Sequence, residues 1–368
     1  MSQIEQKSLQ RLAAYRQKIS QQMLEGFLVT REVNVRYLSG FTGDSSWMLV
    51  TAQDAFLLTD PRYTEQARQE CPNCQVVLVK DSMEKTAIAL AAAEGIHTLG
   101  FESDEVTVAQ QQRLLVAAAL HPELIPSVDL CSALRQFKDE TEKDWLQKAA
   151  ALGDQALQQL RPMIKPGITE RRLGNQLNIL MLELGSEGMS FDTIVASGQR
   201  GALPHGIPSD KPLAEGDMVT IDFGCILGGY HSDMTRTFIL GMPDAIQRQR
   251  YELVLQAQMA ALDAIRPGRN TREIDGVARE IIKAAGFGDH FGHGLGHSVG
   301  LEIHELPRFS PVAPPVMLEP GMLLTVEPGI YIPGWGGLRI EDMVLITEGE
   351  KDILTKFPKT LEDMTIIC

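Results

Sequence analysis

The sequence predicts a two-domain α/β protein. Three observations carry that reading. The chain is 368 residues long, about two domains' worth at ordinary domain size. Its first third alternates short apolar runs with helical periodicity, the pattern of a sheet with helices packed on it. Its remainder contains an internal repeat at an offset of 101 residues. We place the division at 130/131, giving an N-terminal α/β domain over 1–130 and a larger domain over 131–368. With 44% hydrophobic and 22% charged residues, the chain has the composition of a globular protein that buries a large core.

The first helix is expected over 4–23, where Ile4, Leu12, Tyr15, Ile19 and Met23 keep near-helical spacing and Gly26 serves as the stop. Strands are expected at 26–30, 47–51, 55–59 and 76–79, and helices around 62–69, 82–94 and 106–119. The segment 40–43, with a glycine at each end, reads as an exposed turn. The two prolines in 121–127 mark a linker. A long polar helix over 139–160 opens the second domain.

In that domain Ile164-Lys165-Pro166-Gly167 aligns with Ile265-Arg266-Pro267-Gly268. At the same offset Thr169 falls on Asn270, both good N-caps after a Pro-Gly turn. Leu173 falls on Ile274, and Gly185 on Gly286, each a helix stop. Cap, apolar position and stop at one offset define two related α/β halves, with the site expected at their seam. Two copies are too few for a solenoid.

Charge and composition exclude several classes. A formal net charge of −14 makes nucleic acid a poor partner. No apolar run reaches the roughly 18 residues of a membrane helix, and Met1-Ser2-Gln3-Ile4-Glu5-Gln6-Lys7 has no signal-like apolar stretch. A cytoplasmic protein is expected. Five cysteines do not make a disulfide framework. The CxxC of Cys71 and Cys74 lacks the further ligands of structural zinc, since Cys131, Cys225 and Cys368 stand at unsuitable spacing. It receives no role.

Chemistry concentrates where polar residues interrupt apolar strands of the second domain. In 218–224, Val219, Ile221 and Phe223 share one face while Thr220 and Asp222 share the other. Asp233 shares a face with Thr235 and Thr237. Glu327 ends a strand at 324–327. A single strand over 338–344 sets Arg339 and Glu341 on one face. The fifth stretch, 291–300, holds His293-Gly294-Leu295-Gly296-His297 and is followed by His304. Four inward carboxylates are costly unless something neutralises them. Two divalent cations would do so, with an imidazole as a neutral ligand. A carboxylate-rich set with one imidazole suits Mn²⁺ and tolerates Co²⁺, Zn²⁺ or Fe²⁺.

In order and spacing, Asp222, Asp233, His297, Glu327 and Glu341 resemble the five metal ligands of the pita-bread metallopeptidases. The surrounding motifs resemble that group's proline-specific branch, the Xaa-Pro aminopeptidases and prolidases. They are Phe191-Asp192-Thr193-Ile194-Val195-Ala196-Ser197-Gly198, Leu203-Pro204-His205-Gly206, His231-Ser232-Asp233-Met234-Thr235-Arg236-Thr237 and Val326-Glu327-Pro328-Gly329-Ile330-Tyr331. Segments 37–43 and 59–63 resemble the branch's N-terminal domain, of the creatinase/prolidase type. The resemblance implies a pseudo-two-fold pita-bread catalytic domain holding two metal ions. It implies that Asp233 and Glu341 bridge them, that Asp222 completes one site, and that His297 and Glu327 complete the other. Water made acidic by the ions would attack the scissile carbonyl, with Glu327 relaying its proton to the departing proline nitrogen.

By the same resemblance, His205 and His304 orient substrate and stabilise the oxyanion, and Arg339 braces Glu341. Arg308 matches a position that binds the free carboxylate of a dipeptide in compact prolidases, or else is a surface arginine. His293 is expected to be structural. The substrates implied are proline-containing peptides, with dipeptidase and aminopeptidase action both open, and a homodimer is implied. Two alternatives remain at this point: a creatinase-like hydrolase, which would lack part of the ligand set, and a non-catalytic binding protein reusing the fold.

Overall fold

The structure, a computed structural model, describes residues 3–128 and 130–367. Met1, Ser2, the Ile4 side chain and Cys368 lie outside the described residues. The chain forms two compact units, Met1–Arg135 and Gln136–Cys368.

The first unit runs α1 (Gln3–Gln21), β1 (Gly26–Val29), α2 (Glu32–Ser39), β2 (Ser46–Thr51), β3 (Ala55–Thr59), α3 (Thr64–Glu70), β4 (Gln75–Leu78), α4 (Met83–Ala93), β5 (Thr98–Glu102), α5 (Val108–Ala118), β6 (Glu123–Ser127) and α6 (Ser132–Arg135). Its six strands form one mixed sheet in the order β4-β3-β2-β1-β5-β6. The antiparallel pair β2–β3 needs only a short turn, whereas α2 lies in the connection between β1 and its antiparallel partner β2. The parallel pairs β3–β4 and β5–β6 are bridged by α3 and α5, as parallel pairing requires. Leu28, Leu49, Phe56, Leu58 and Leu99 from the sheet pack against Ala87, Ile88, Ala91 and Leu114 from α4 and α5.

Three expectations change here. The first helix ends at Gln21, and Met23 is left-handed (φ 57°) and 88% exposed. Leu24, which donates its N–H to the Ile19 carbonyl, is buried instead, and Gly26 opens β1. The linker expected over 121–127 is mostly β6, paired in parallel with β5. Pro126 is tolerated because β6 is an edge strand, where a missing donor breaks no interior ladder. Segment 40–43 is exposed only in part: Thr42 is exposed, but Gly40 caps α2 at φ 85°, and buried Phe41 meets the Tyr63 ring edge-on at 6.0 Å.

The second unit opens with α7 (Glu140–Leu160), then α8 (Glu170–Glu183), β7 (Gly188–Met189), β8 (Ile194–Ser197), β9 (Met218–Phe223), β10 (Cys225–Leu227), β11 (Tyr230–His231), β12 (Met234–Leu240) and α9 (Ala245–Ala264). It continues with α10 (Thr271–Ala284), β13 (Gly296–Ser298), β14 (Glu305–Phe309), β15 (Leu323–Val326), β16 (Gly329–Ile332), β17 (Gly336–Arg339), β18 (Asp342–Ile346), β19 (Lys351–Ile353), α11 (Leu361–Met364) and β20 (Thr365–Ile366). A reciprocal capping box, Asp139 with Glu142, starts α7; each side chain satisfies an orphan donor of the first turn.

The repeat is visible in the backbone. Thr169 caps α8 and Asn270 caps α10, each accepting the N–H three residues on. Gly167 and Gly268 have φ of 91° and 83°, and Gly185 and Gly286 of 103° and 86°, values that favour glycine. Gly167 donates to the Leu213 carbonyl at 2.8 Å, and Gly268 to that of Leu318 at 3.0 Å. Leu173 and Ile274 are both fully buried, each stabilising the core by roughly 1.5–3 kcal/mol. One half contributes a sheet ordered β20-β12-β9-β8, the other a sheet ordered β14-β13-β15-β18-β19. The strand expected over 338–344 is two strands, β17 and β18, interrupted at Ile340 and Glu341.

Candidate metal centre

Tight backbone approaches aim the ligand-bearing strands. A Cβ on Gly224 would lie 1.8 Å from the Ser232 carbonyl oxygen, and one on Gly296 would lie 2.0 Å from that of Thr325. Only glycine permits either approach. The first sets Asp233 beside the end of β9, which carries Asp222. The second seats His297 against β15, which leads into Glu327; the Glu327 N–H donates to the Leu295 carbonyl at 2.8 Å. Asp222 stands opposite Thr235 across β9 and β12. Glu341 donates its N–H to the Thr235 carbonyl at 3.1 Å, and its Oε2 accepts the Thr235 hydroxyl at 2.7 Å.

These residues line a cavity of about 780 Å³ within the second unit. Donor atoms of Asp233, His297 and Glu341 lie within 4.8 Å of one another. His297 Nε2 is 3.6 Å from Asp233 Oδ2 and 3.5 Å from Glu327 Oε1, too long for good hydrogen bonds and suited to donors that share a cation. The His297 Nδ1 faces the Ser298 carbonyl at 3.2 Å. It can bond there only as a donor, which leaves Nε2 with its lone pair toward the carboxylates.

Electrostatics show what the cluster lacks. Asp222, Asp233, Glu327 and Glu341 face one guanidinium, Arg339. Burial, then the charges of Glu341 and Asp222, raise Asp233 well above the usual carboxylate range. Burial, Glu327 and Asp222 do the same to Glu341. Burial pushes Glu327 up to about 8. Burial and neighbouring His304 push His297 down to about 3, so it is a neutral imidazole. Buried Asp222 Oδ1 and Glu341 Oε1 have no hydrogen-bond partner, an arrangement that costs free energy unless a cation supplies the missing interaction. Orphaned carboxylate oxygens, a neutral imidazole and excess negative charge fit divalent cations.

A pH dependence follows with a definite sign. Carboxyls whose folded pKa is raised bind more protons folded than unfolded, so their contribution falls as pH rises. After exhaustive chelation, stability should decline between about pH 4, the unfolded carboxylate value, and about pH 8, the folded value of Glu327. Adding Mn²⁺ should abolish the decline. Urea titrations across that range check it; a pH-independent midpoint after chelation would contradict the charge crowding.

The rim holds the other predicted residues. His205, His304 and Arg308 are exposed and line the same cavity. The His304 ring lies edge-on to that of His297, centroids 4.3 Å apart, and burial followed by Arg308 lowers its pKa. Arg308 is the cross-strand neighbour of His297.

Arg339 reaches Glu341 through Thr235, whose hydroxyl accepts from Arg339 Nε at 3.0 Å and donates to Glu341 Oε2 at 2.7 Å, and it pairs directly with Asp222, NH2 to Oδ2 at 2.5 Å. The break between β17 and β18 explains this. The Arg339 backbone exchanges hydrogen bonds with the Thr237 hydroxyl on β12, next to β9, whereas Glu341 is held by Thr235.

His293 and Tyr331 belong to the pocket as well. Arg339 NH1 donates to the Tyr331 hydroxyl at 2.7 Å, which meets His293 Nε2 at 3.0 Å. His293 Nδ1 must donate to the Gly294 carbonyl, 2.8 Å away, so Nε2 accepts from Tyr331. The chain of donors runs Arg339, Tyr331, His293. Tyr331 lay within a motif noted above but offers no metal-ligand chemistry, and no sequence signal separated His293 from a turn histidine.

Two α/β halves around a buried carboxylate–imidazole cluster define a metal-dependent hydrolase of pita-bread type. The chain belongs to metallopeptidase family M24, whose model matches residues 144–348. The creatinase/prolidase N-terminal domain matches 11–137. An Xaa-Pro dipeptidase of Pyrococcus furiosus is 40% identical over 92% of this chain and 95% of its own length. The structure of an Xaa-Pro dipeptidase from Bacillus anthracis superposes with a TM-score of 0.94 at 38% identity, covering 98% of this chain and all of that one. That of an X-Pro aminopeptidase from Thermotoga maritima gives 0.87 at 35% identity, over 95% and 99%.

Proposed function

We propose that this chain is a dinuclear-metal exopeptidase hydrolysing the bond between an N-terminal residue and proline. Convergence of Asp233, His297 and Glu341 within 4.8 Å, beside Asp222 and Glu327, carries the reading. In it, Asp233 and Glu341 would serve both cations, Asp222 would help to hold one, and His297 Nε2 and Glu327 would help to hold the other. The hard donor set favours Mn²⁺. When bound, such ions supply Lewis acidity and bring a water's pKa from about 15.7 to about 7. Glu327 carries a proton on its carboxylate toward the departing proline nitrogen. His205 and His304, imidazoles on the rim, hold the substrate carbonyl and the charge that develops on it.

Arg308 has no carboxylate partner among the described residues, and a guanidinium at the rim suits a peptide's free carboxylate. That supports dipeptide substrates. Xaa-Pro and Xaa-Pro-Yaa peptides assayed with Mn²⁺ or Co²⁺ decide the matter. We expect faster cleavage of the dipeptide and a roughly tenfold higher KM for it in Arg308→Met, the loss of one charged contact. Faster cleavage of the longer peptide would reassign the chain as an aminopeptidase, and cleavage of neither would overturn the proposal.

We also propose a homodimer in which one copy's first unit helps to close the other's site. Val108, Val116 and Leu120, on and just after α5, are 72%, 82% and 85% exposed, an apolar surface that a second copy would cover. Light scattering at micromolar concentration should return twice the chain mass; a monomer would contradict it. Cys71, Cys74, Cys131 and Cys225 are free thiols, which supports a reducing, cytoplasmic setting. No described helix is long and apolar enough to cross a membrane. Cell fractionation that recovered the protein outside the cytoplasm would reject that placement.

A further inference from the structure

Residues 197–209 leave β8, reach the cavity rim at Pro204 and His205, and turn back. Both ends of this segment are tied to one carboxylate. Glu170, the first residue of α8, is fully buried. Its Oε1 accepts the Ser197 N–H at 2.8 Å and hydroxyl at 2.7 Å. Its Oε2 accepts the Ser209 N–H at 3.0 Å, the Ser209 hydroxyl at 2.6 Å and Arg200 Nε at 2.9 Å. Arg200 NH2 then donates to the Ile207 carbonyl at 2.6 Å, linking the two legs of the loop. At the tip Leu203 is 51% and Ile207 73% exposed; there the Pro204 carbonyl accepts from Arg339 NH1 at 3.4 Å, and a Cβ on Gly206 would lie 2.9 Å from that of Ala196.

The internal repeat supplies a comparison within the same molecule. At the 101-residue offset Glu170 falls on Thr271. Both backbone N–H groups dock on the returning chain, Glu170 on the Lys211 carbonyl at 3.1 Å and Thr271 on that of Val316 at 2.9 Å. The Thr271 hydroxyl accepts one bond, from the Val316 N–H at 3.1 Å. A hydroxyl therefore suffices to dock the helix in the second half. The first half carries a buried carboxylate at this position, which costs several kcal/mol unless fully compensated. Its five donors all come from the segment that bears His205. Burial works against the charge, but the bonds from Ser209 and Ser197 outweigh it and hold the carboxyl below its usual range.

We propose that Glu170 is a positioning residue that fixes His205 at the pocket by clamping both ends of segment 197–209. The proposal rests on the reading above, in which His205 contacts substrate. Glu170→Gln keeps size and removes the charge. It should lower kcat/KM on Xaa-Pro peptides by about 10- to 100-fold, the range for residues that orient a functional group. Bound divalent metal should be unchanged, and amide hydrogen exchange across 198–209 should accelerate. In a His205→Ala background, Glu170→Gln should cost less than about twofold more, because an effect exerted through His205 is already spent.

Unchanged exchange across 198–209, or an undiminished loss in the His205→Ala background, would overturn the proposal. If Glu170→Gln does not fold, Arg200→Met, with a half-exposed arginine, carries the same tests. A wild-type enzyme inactive on every Xaa-Pro peptide would overturn the functional reading alone. The exchange measurement would then still decide whether the clamp exists.

Discussion

Asp233→Asn should abolish turnover, by about 10³-fold or more, while the protein stays folded. Asp233 contributes a carboxylate to the atoms that converge within 4.8 Å, and an amide offers neither its charge nor its second anionic oxygen. Divalent metal retained after gel filtration should fall below one equivalent. The effect on stability runs the other way. Burial and the Glu341 charge disfavour an ionised Asp233, so the amide relieves repulsion, and after chelation the variant should withstand more urea than the wild type at neutral pH. Turnover and metal content equal to the wild type would remove Asp233 from the site; lost activity with lost structure would make its role architectural.

The second large effect is predicted behind the site. Arg236 is fully buried. Its NH1 donates to the Thr235 carbonyl at 3.0 Å and to that of Glu341, and its NH2 to Asp342 Oδ1 at 2.8 Å. Asp342 also accepts from Lys359 Nζ, Gln258 Nε2 at 2.7 Å and the Thr355 hydroxyl at 2.8 Å. Asp342→Ala leaves a buried guanidinium uncompensated, so the loss should be about 3–5 kcal/mol, read from urea titrations. Asp342→Asn, which keeps one acceptor, should lose less.

Acid should act through the same group. Burial alone would raise Asp342, but Arg236 and Lys359 outweigh it and hold the carboxyl well below the usual range. A depressed folded pKa gives stability that is present above the unfolded value near about 4 and lost as pH falls below it. The wild type should therefore lose stability in that acid range, and Asp342→Asn should lose less of it. Parallel acid profiles for the two proteins would show that Asp342 does not carry the effect.

Much of this was legible in the sequence because period and chemistry coincide there. Asp222 sits among alternating apolar residues of β9, so its inward face followed from a period of two. Cap, apolar position and stop recur at one offset, so the sequence alone pairs α8 with α10. Sequence spacing could not show strand ends or third-dimension partners. Segment 338–344 alternates only as far as Glu341, where Asp342 breaks the period; the chain leaves the strand at Ile340–Glu341, and Arg339 reaches Asp222 on another strand. Segment 121–127 carries two prolines, and only its position at the sheet edge lets it be a strand. Glu170 follows the Thr169 cap with nothing in its spacing to mark it, because the donors that reveal its role come from up to 39 residues away.

Metal stoichiometry tests the central claim most directly. Apoprotein should be titrated with Mn²⁺ at pH 7 by calorimetry in buffers of differing ionisation enthalpy. Two equivalents should bind per chain, with protons released, because burial favours the protonated forms of Glu327, Asp233 and Glu341. Turnover should appear only as the second equivalent fills. Full activity at zero or one equivalent, or two equivalents bound equally well by Asp233→Asn, would contradict the paired-cation centre.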